Sequence, residues 1–93
     1  MRRAARVDLN HADIVKAFRD FGCAVLSLAP MGRGVPDLLV SMNSVNWLVE
    51  VKSDAGKLTP DQEKFLTWWQ GPVSVVRDLQ GVQTVVNLIR GEG

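Results

Sequence analysis

Three charged residues fall on two short apolar runs. Asp37 opens the run Asp37–Met42, and Glu50 and Lys52 stand near the end of the run Asn46–Lys52. A period of two puts Glu50 and Lys52 on one face of a strand, with Trp47, Val49 and Val51 on the other. Only Asn43-Ser44-Val45 separates the runs, and this short polar spacing predicts an antiparallel hairpin. A two-residue loop at Asn43-Ser44 sets Asp37 opposite Glu50. A loop at Ser44-Val45, or over residues 43–46, sets Asp37 opposite Lys52 and diagonal to Glu50. Every even-length loop gathers the three groups on one face, and an odd-length loop separates them.

Two carboxylates and an ammonium on an apolar sheet are costly unless something uses them. Paired carboxylates repel each other and invite a hard divalent cation with oxygen ligands, Mg²⁺ or Mn²⁺, to which the carbonyl of Val51 adds another oxygen. A lysine beside such a cation can position a water and offset charge developing on a phosphate. These are the parts of metal-dependent phosphodiester hydrolysis. Glu-x-Lys alone turns up in roughly a third of chains this long, so the tripeptide says little. The signal lies in its placement on adjacent strands, after a glycine-rich loop and before a capped helix.

The elements that must position these groups read in order. Asn10 suits a helix N-cap with Asp13 as a weak capping-box partner. Ile14, Ala17, Phe18 and Phe21 then recur at helical spacing up to Gly22. Cys23–Leu28 has the length of a strand, and Pro30–Pro36, with two glycines and two prolines, reads as loop. After the hairpin and a loop over Ser53–Leu58, Thr59-Pro60-Asp61-Gln62 gives the clearest local signal. Thr59 fits the N-cap, Pro60 the first helical position, and Gln62 the third, where it completes a capping box. That helix runs through Phe65, Leu66 and Trp69 to Gly71-Pro72. Val73–Val76 is a fourth strand. Val82, Val85, Val86 and Ile89 fall at helical spacing, although so many β-branched residues leave strand open. The order is α-β-β-β-α-β, then α.

As a set, Gly32-Arg-Gly-Val-Pro-Asp37-Leu-Leu-Val, the twelve residues between Asp37 and Glu50, and Leu48-Val-Glu-Val-Lys-Ser53 resemble the PD-(D/E)XK nuclease signature. The chain is most similar to stand-alone, phage-type VRR-NUC domains, related to archaeal Holliday junction resolvases. The first helix, Leu58–Gln62 and Trp69-x-Gly-Pro72 fall in the order of that family. The resemblance implies a restriction-endonuclease-like α/β fold, an αβββαβ core whose mixed sheet is flanked by helices. It implies Asp37 and Glu50 as metal ligands, Lys52 as the catalytic lysine, and Gln62 as a supporting glutamine. The helix-capping role of Gln62 is compatible with that support. Family members often add an acid from the first helix, for which Asp13 is the candidate, though a first-turn acid also suits the helix dipole. Arg33, Lys57 and Lys64 are candidate DNA contacts that read equally well as exposed charges.

Composition sets the outer bounds. A chain of 93 residues, 46% apolar and 23% charged, is one globular domain over residues 1–93 that buries roughly 60–65% of its unfolded surface. The net charge of +1 does not by itself announce a nucleic-acid partner, although three of the first six residues are arginine and residues 1–8 make a candidate basic arm. No run approaches the ~20 apolar residues of a membrane span. Asp8, Asn10 and His11 break the signal-like opening, and one cysteine, Cys23, fits a reducing compartment and a buried apolar role. The expected location is cytoplasmic, the host cytoplasm for a phage protein. A single histidine, His11, rules out a His-based zinc site or a Ser-His triad, and no GxxxxGK loop points to a nucleotide cofactor. Adjacent Trp68 and Trp69 cannot share a helix face. Trp69 is expected on the sheet and Trp68 exposed, which fits a symmetric homodimer.

The reading is a Mg²⁺- or Mn²⁺-dependent endonuclease for branched DNA such as four-way junctions, in repair or recombination. The alternative is a catalytically silent DNA-binding or interaction module of the same fold, against which the intact Asp37, Glu50 and Lys52 set argues.

Overall fold

The hairpin turn decides everything downstream of it. In the computed structural model, which describes residues 11–91, Asn43 and Ser44 both take left-handed backbone, with φ of 53° and 64°. Two such residues form the tight turn whose twist matches that of paired strands, and asparagine tolerates that conformation better than most residues. The turn therefore has two residues, and Val45 belongs to the strand as the partner of Met42. The strands it joins are β2, Leu38–Met42, and β3, Val45–Val51. Leu38 pairs with Val49 and Val40 with Trp47, so one further step of this register sets Asp37 opposite Glu50.

Before the hairpin come α1, His11–Asp20, and β1, Ala24–Ser27, which pairs antiparallel with β2. Gly22, at φ 98°, turns the chain between them. The candidate cap Asn10 and the basic arm at 1–8 lie outside the described residues. The stretch before Asp37 is not all loop, because Ala29–Met31 winds into a single 3-10 turn with Pro30 inside its start. After the hairpin, α2 spans Pro60–Trp68 with the expected capping box on Thr59 and Gln62. It stops short of Gly71, since Trp69 is already extended (φ −68°, ψ 132°). β4, Val73–Val76, then lies parallel to β3, with α2 as the crossover.

The last element, α3 (Leu79–Ile89), is a helix despite its valines. Asp78 caps it by accepting from the Gly81 N–H at 2.9 Å, and four of its apolar side chains are buried on one stripe. The product is a four-stranded mixed sheet, β1-β2-β3-β4, with three helices: the restriction-endonuclease-like α/β architecture expected. α1 and α3 cover one face of the sheet. There Ile14, Phe18, Val82, Val85 and Val86 close over Leu38, Val40, Val49 and Val76, all buried. Cys23 joins this core as a free, buried thiol, pushed above its ordinary pKa by burial. The face bearing Glu50 carries the lighter cover, and no residue of α2 is fully buried. Among the described residues, no helix is long and apolar enough to cross a membrane.

Candidate active site

Asp37 and Glu50 meet where β2 begins and β3 ends. In an antiparallel pair the positions alternate. Counting from the turn, Asp37 and Glu50 fall at a non-hydrogen-bonded pair, where facing side chains approach most closely. Like charges directly opposite are unfavourable, and two further contacts hold the pair in place. The backbone carbonyl of Asp37 accepts from the Leu28 N–H at 2.7 Å, which ties it toward β1. Its side-chain Oδ2 accepts from the Val51 N–H at 2.9 Å.

The residue before Asp37 bears on the neighbouring carbonyl. Continued one more step, the register places Pro36 opposite Val51, and proline has no N–H to give to the Val51 carbonyl. The ladder therefore stops at the site. The Val51 amide turns to the Asp37 carboxylate, and no rung from Pro36 can occupy the Val51 carbonyl.

Glu50 is only 3% exposed, the one buried charged residue among those described. Its Oε2 accepts from Gln62 Nε2 at 3.1 Å, whereas Oε1 is buried with no hydrogen-bond partner. Burial is the main reason its carboxyl is pushed up to about 7 from the ordinary 4.5; repulsion by Asp37 adds to this and the Lys52 charge works against it. Lys52 is half-buried just past β3, and its backbone N–H donates to the Val76 carbonyl at 3.0 Å, extending the parallel pairing.

Gln62 bonds both the helix cap and Glu50. Its Oε1 accepts from the Thr59 N–H at 2.9 Å, while its own N–H donates to Thr59 Oγ1 at 3.2 Å. With the carbonyl end used by the cap, the amide NH₂ end is left to face Glu50, so helix start and carboxylate orientation are set by one side chain. α2 is also pressed by the loop ahead of Asp37. Gly34 sits at φ 80°, and a Cβ there would overlap the Asp61 backbone carbonyl.

The remaining expected residues are dispersed. Arg33 and Lys64 are exposed and share a groove with Asp61, Phe65 and Trp68, while Lys57 is exposed on the loop between β3 and α2. Asp13 is exposed on the first turn of α1, and no group of three His, Cys, Asp or Glu side chains forms among the described residues. Trp68 is exposed and Trp69 lies against sheet residues, as expected, but the two indoles are not opposed. Because α2 ends at Trp68, both indoles flank Phe65: Trp69 stacks on it at 5.3 Å and Trp68 meets it edge-on at 5.7 Å. Trp69 lines a groove with Leu39 and Leu48 but is itself 38% exposed, and Trp68 is 66% exposed.

Arg77 is the residue that sequence reasoning missed. Its Nη1 donates to the carbonyls of Ser53 (2.7 Å), Gly56 (2.6 Å) and Asp54 (3.4 Å), pinning the turn that follows Lys52. A charge closing the apolar run Val73–Val76 was the available signal, but its partners lie 21–24 residues away.

The fold is mixed α/β, and on it a buried carboxylate faces a second one with a lysine two residues on. The VRR-NUC domain family matches residues 5–77, a span holding all four of Asp37, Glu50, Lys52 and Gln62, and the chain belongs to that family within the PD-(D/E)XK nuclease superfamily. No curated protein matches the sequence. Membership implies nuclease-type processing of DNA, and domains of this superfamily generally use divalent metals.

Proposed function

We propose that the chain works as one Mg²⁺- or Mn²⁺-dependent endonuclease domain that hydrolyses phosphodiesters in branched DNA, four-way junctions foremost. The carrying observation is the buried Glu50 facing Asp37 with its Oε1 unpartnered. An orphaned carboxylate oxygen in a buried site is costly, and a divalent cation removes that cost. Asp37, Glu50 and the Val51 carbonyl are the oxygen donors that would hold it, which fits a hard cation. Bound there, it supplies Lewis-acid polarisation of the scissile phosphate.

The chain's own residues do the rest. Lys52 positions the attacking water and offsets negative charge growing on the phosphate; the 3′ oxygen leaves, and the product carries a 5′-phosphate. Gln62 keeps the Glu50 carboxylate turned toward Asp37. Arg33, Lys57 and Lys64 contact phosphates, and Asp13 is a further acid only if α1 moves toward the pair. Two strands of a junction call for two sites, so the active form is a homodimer. The groove of Leu39, Leu48, Trp69 and Pro72 supports this as an uncovered apolar surface. The cytoplasm, of the host for a phage protein, supplies both DNA and cation.

The test is cleavage of a labelled panel (four-way junction, flap, splayed arm, linear duplex, single strand) with Mg²⁺ or Mn²⁺, beside Lys52→Ala and Asp37→Asn. Symmetric junction cutting lost in both variants is expected. Equal cutting by wild type and variants overturns the site, and junction binding without any cutting makes the domain a silent binding module.

A further inference from the structure

Two of the grooves near α2 differ in the charge of their linings. The one at Trp69 is apolar, formed with Leu39, Leu48 and Pro72, and Asn46 is its single polar residue. The other, about 240 Å³, is lined by Arg33, Asp61, Lys64, Phe65 and Trp68. That volume lies below the roughly 300–1,000 Å³ of drug-sized ligand pockets and suits one planar ring system. Its floor is aromatic: the Phe65 ring, braced by Trp69 on one side, meets Trp68 edge-on at 5.7 Å. Trp68 is 66% exposed, the most exposed large apolar side chain described. Its rim carries two cations and one carboxylate.

We propose that this groove takes an unpaired nucleotide of the DNA substrate, with its base stacked on Trp68 and its flanking phosphates held by Arg33 and Lys64. The inference rests on the nuclease reading above and names the feature of DNA the site would select. Three observations carry it. An exposed indole beside two cations is the pairing that recognises single-stranded nucleic acid, since every base has a π-face and every linkage an anion. Asp61, in the same lining, offers an acceptor to a base amine, so the groove is not merely a phosphate patch. The groove also adjoins the candidate site. Lys64 and Phe65 lie two and three positions after Gln62 on α2, and Gln62 bonds Glu50 at 3.1 Å. Arg33 stands one residue before Gly34, which packs on Asp61. A base seated on Trp68, six positions after Gln62, leaves its strand within about two helical turns, roughly 9 Å along α2, of the amide that orients Glu50. A second copy of the chain fits the uncharged Trp69 groove better, because Arg33 and Lys64 would have to be desolvated against it.

The test uses full-length Lys52→Ala protein in EDTA, so that nothing is cut, titrated with a dT₁₂ oligonucleotide and with a 12-bp blunt duplex. Binding is read by tryptophan emission and, independently, by anisotropy of a 5′-labelled strand. Adding Trp68→Ala should weaken single-strand binding about tenfold, in line with stacking, and weaken duplex binding less. Lys64→Ala should lower the salt slope of single-strand binding by about one. Leu88→Ala, at a 42% exposed position on α3 that does not line this groove, should leave strand binding unchanged. Equal losses for strand and duplex overturn the proposal. So does a Trp68→Ala protein that binds the strand normally, or one that sediments as a monomer where its parent is a dimer. Single-strand binding through Trp68 without cleavage by wild type in Mg²⁺ upholds this site and refutes the nuclease reading. Cleavage with Trp68 irrelevant to strand binding does the reverse.

Discussion

Raising the pH of the metal-free protein should destabilise it, because Glu50 must then carry its charge inside the site. Its folded-state pKa is about 7, against an ordinary 4.5. Between those values the folded protein holds a proton that the unfolded chain has lost, so unfolding free energy falls as pH rises through that window and levels off above 7. The neutral carboxyl's advantage is complete below 4.5 and gone once the pH has passed the folded value. At 1.36 kcal/mol per pKa unit the ceiling is about 3 kcal/mol, which for a domain this small lowers the thermal midpoint by roughly 12–24 °C.

The assay is thermal unfolding in EDTA at pH 5 and pH 8, at constant ionic strength, for wild type and Glu50→Gln. The amide is neutral at both pH values, so subtracting its curve removes every other titrating group. Wild type should lose about 2.5 kcal/mol relative to the variant on going from pH 5 to pH 8, since pH 5 already lies above the unfolded value. Saturating Mn²⁺ at pH 8 should recover about 2.7 kcal/mol at a hundredfold excess over its dissociation constant, in wild type only. If the two proteins differ by the same amount at both pH values, burial does not set the Glu50 ionisation and the reasoning fails.

Three substitutions probe what holds the site. Gln62→Ala removes both the cap acceptor and the Glu50 partner, so it should cost about 1–2 kcal/mol in urea unfolding and slow cleavage; Gln62→Glu should keep the capping box yet cut poorly, since it adds a third carboxylate. Gly34→Ala should destabilise by more than about 1 kcal/mol and by more than Gly32→Ala, because both have positive φ but only Gly34 meets the Asp61 carbonyl; denaturant midpoints compare them. Arg77→Ala should free the turn after Lys52, reducing cleavage with unchanged single-strand affinity, and millimolar guanidinium should restore part of the rate; a rate equal to wild type would show that the turn needs no anchor.

Much of the hairpin chemistry was legible because a strand has a period of two, and that alone places Glu50 and Lys52 together. Which partner faced Asp37 was not legible. It depended on Asn43 and Ser44 both entering left-handed backbone, a choice that three neighbouring turn positions left open. Thr59, Pro60 and Gln62 were read correctly because capping is local. The two ends of the Gln62 amide then let a structural and a supporting role coincide. The exposure of Trp68 was legible, but the gathering of both indoles about Phe65 was not, because α2 ends at Trp68, earlier than expected. The Arg77 anchor and the Gly34–Asp61 approach join segments distant in sequence, and a single sequence carries no signal for such pairs.

The bond from the Val51 amide to Asp37 has a spectroscopic consequence. Most amide protons in a sheet are held by carbonyls, whose charge never changes, whereas this one is held by a carboxylate, in a charge-assisted bond when Asp37 is ionised. Its resonance and its exchange with deuterium therefore follow any cation that draws the carboxylate away. In a nitrogen-labelled sample, one backbone peak serves as a gauge of the whole site, readable without DNA, without turnover and without altering a single residue.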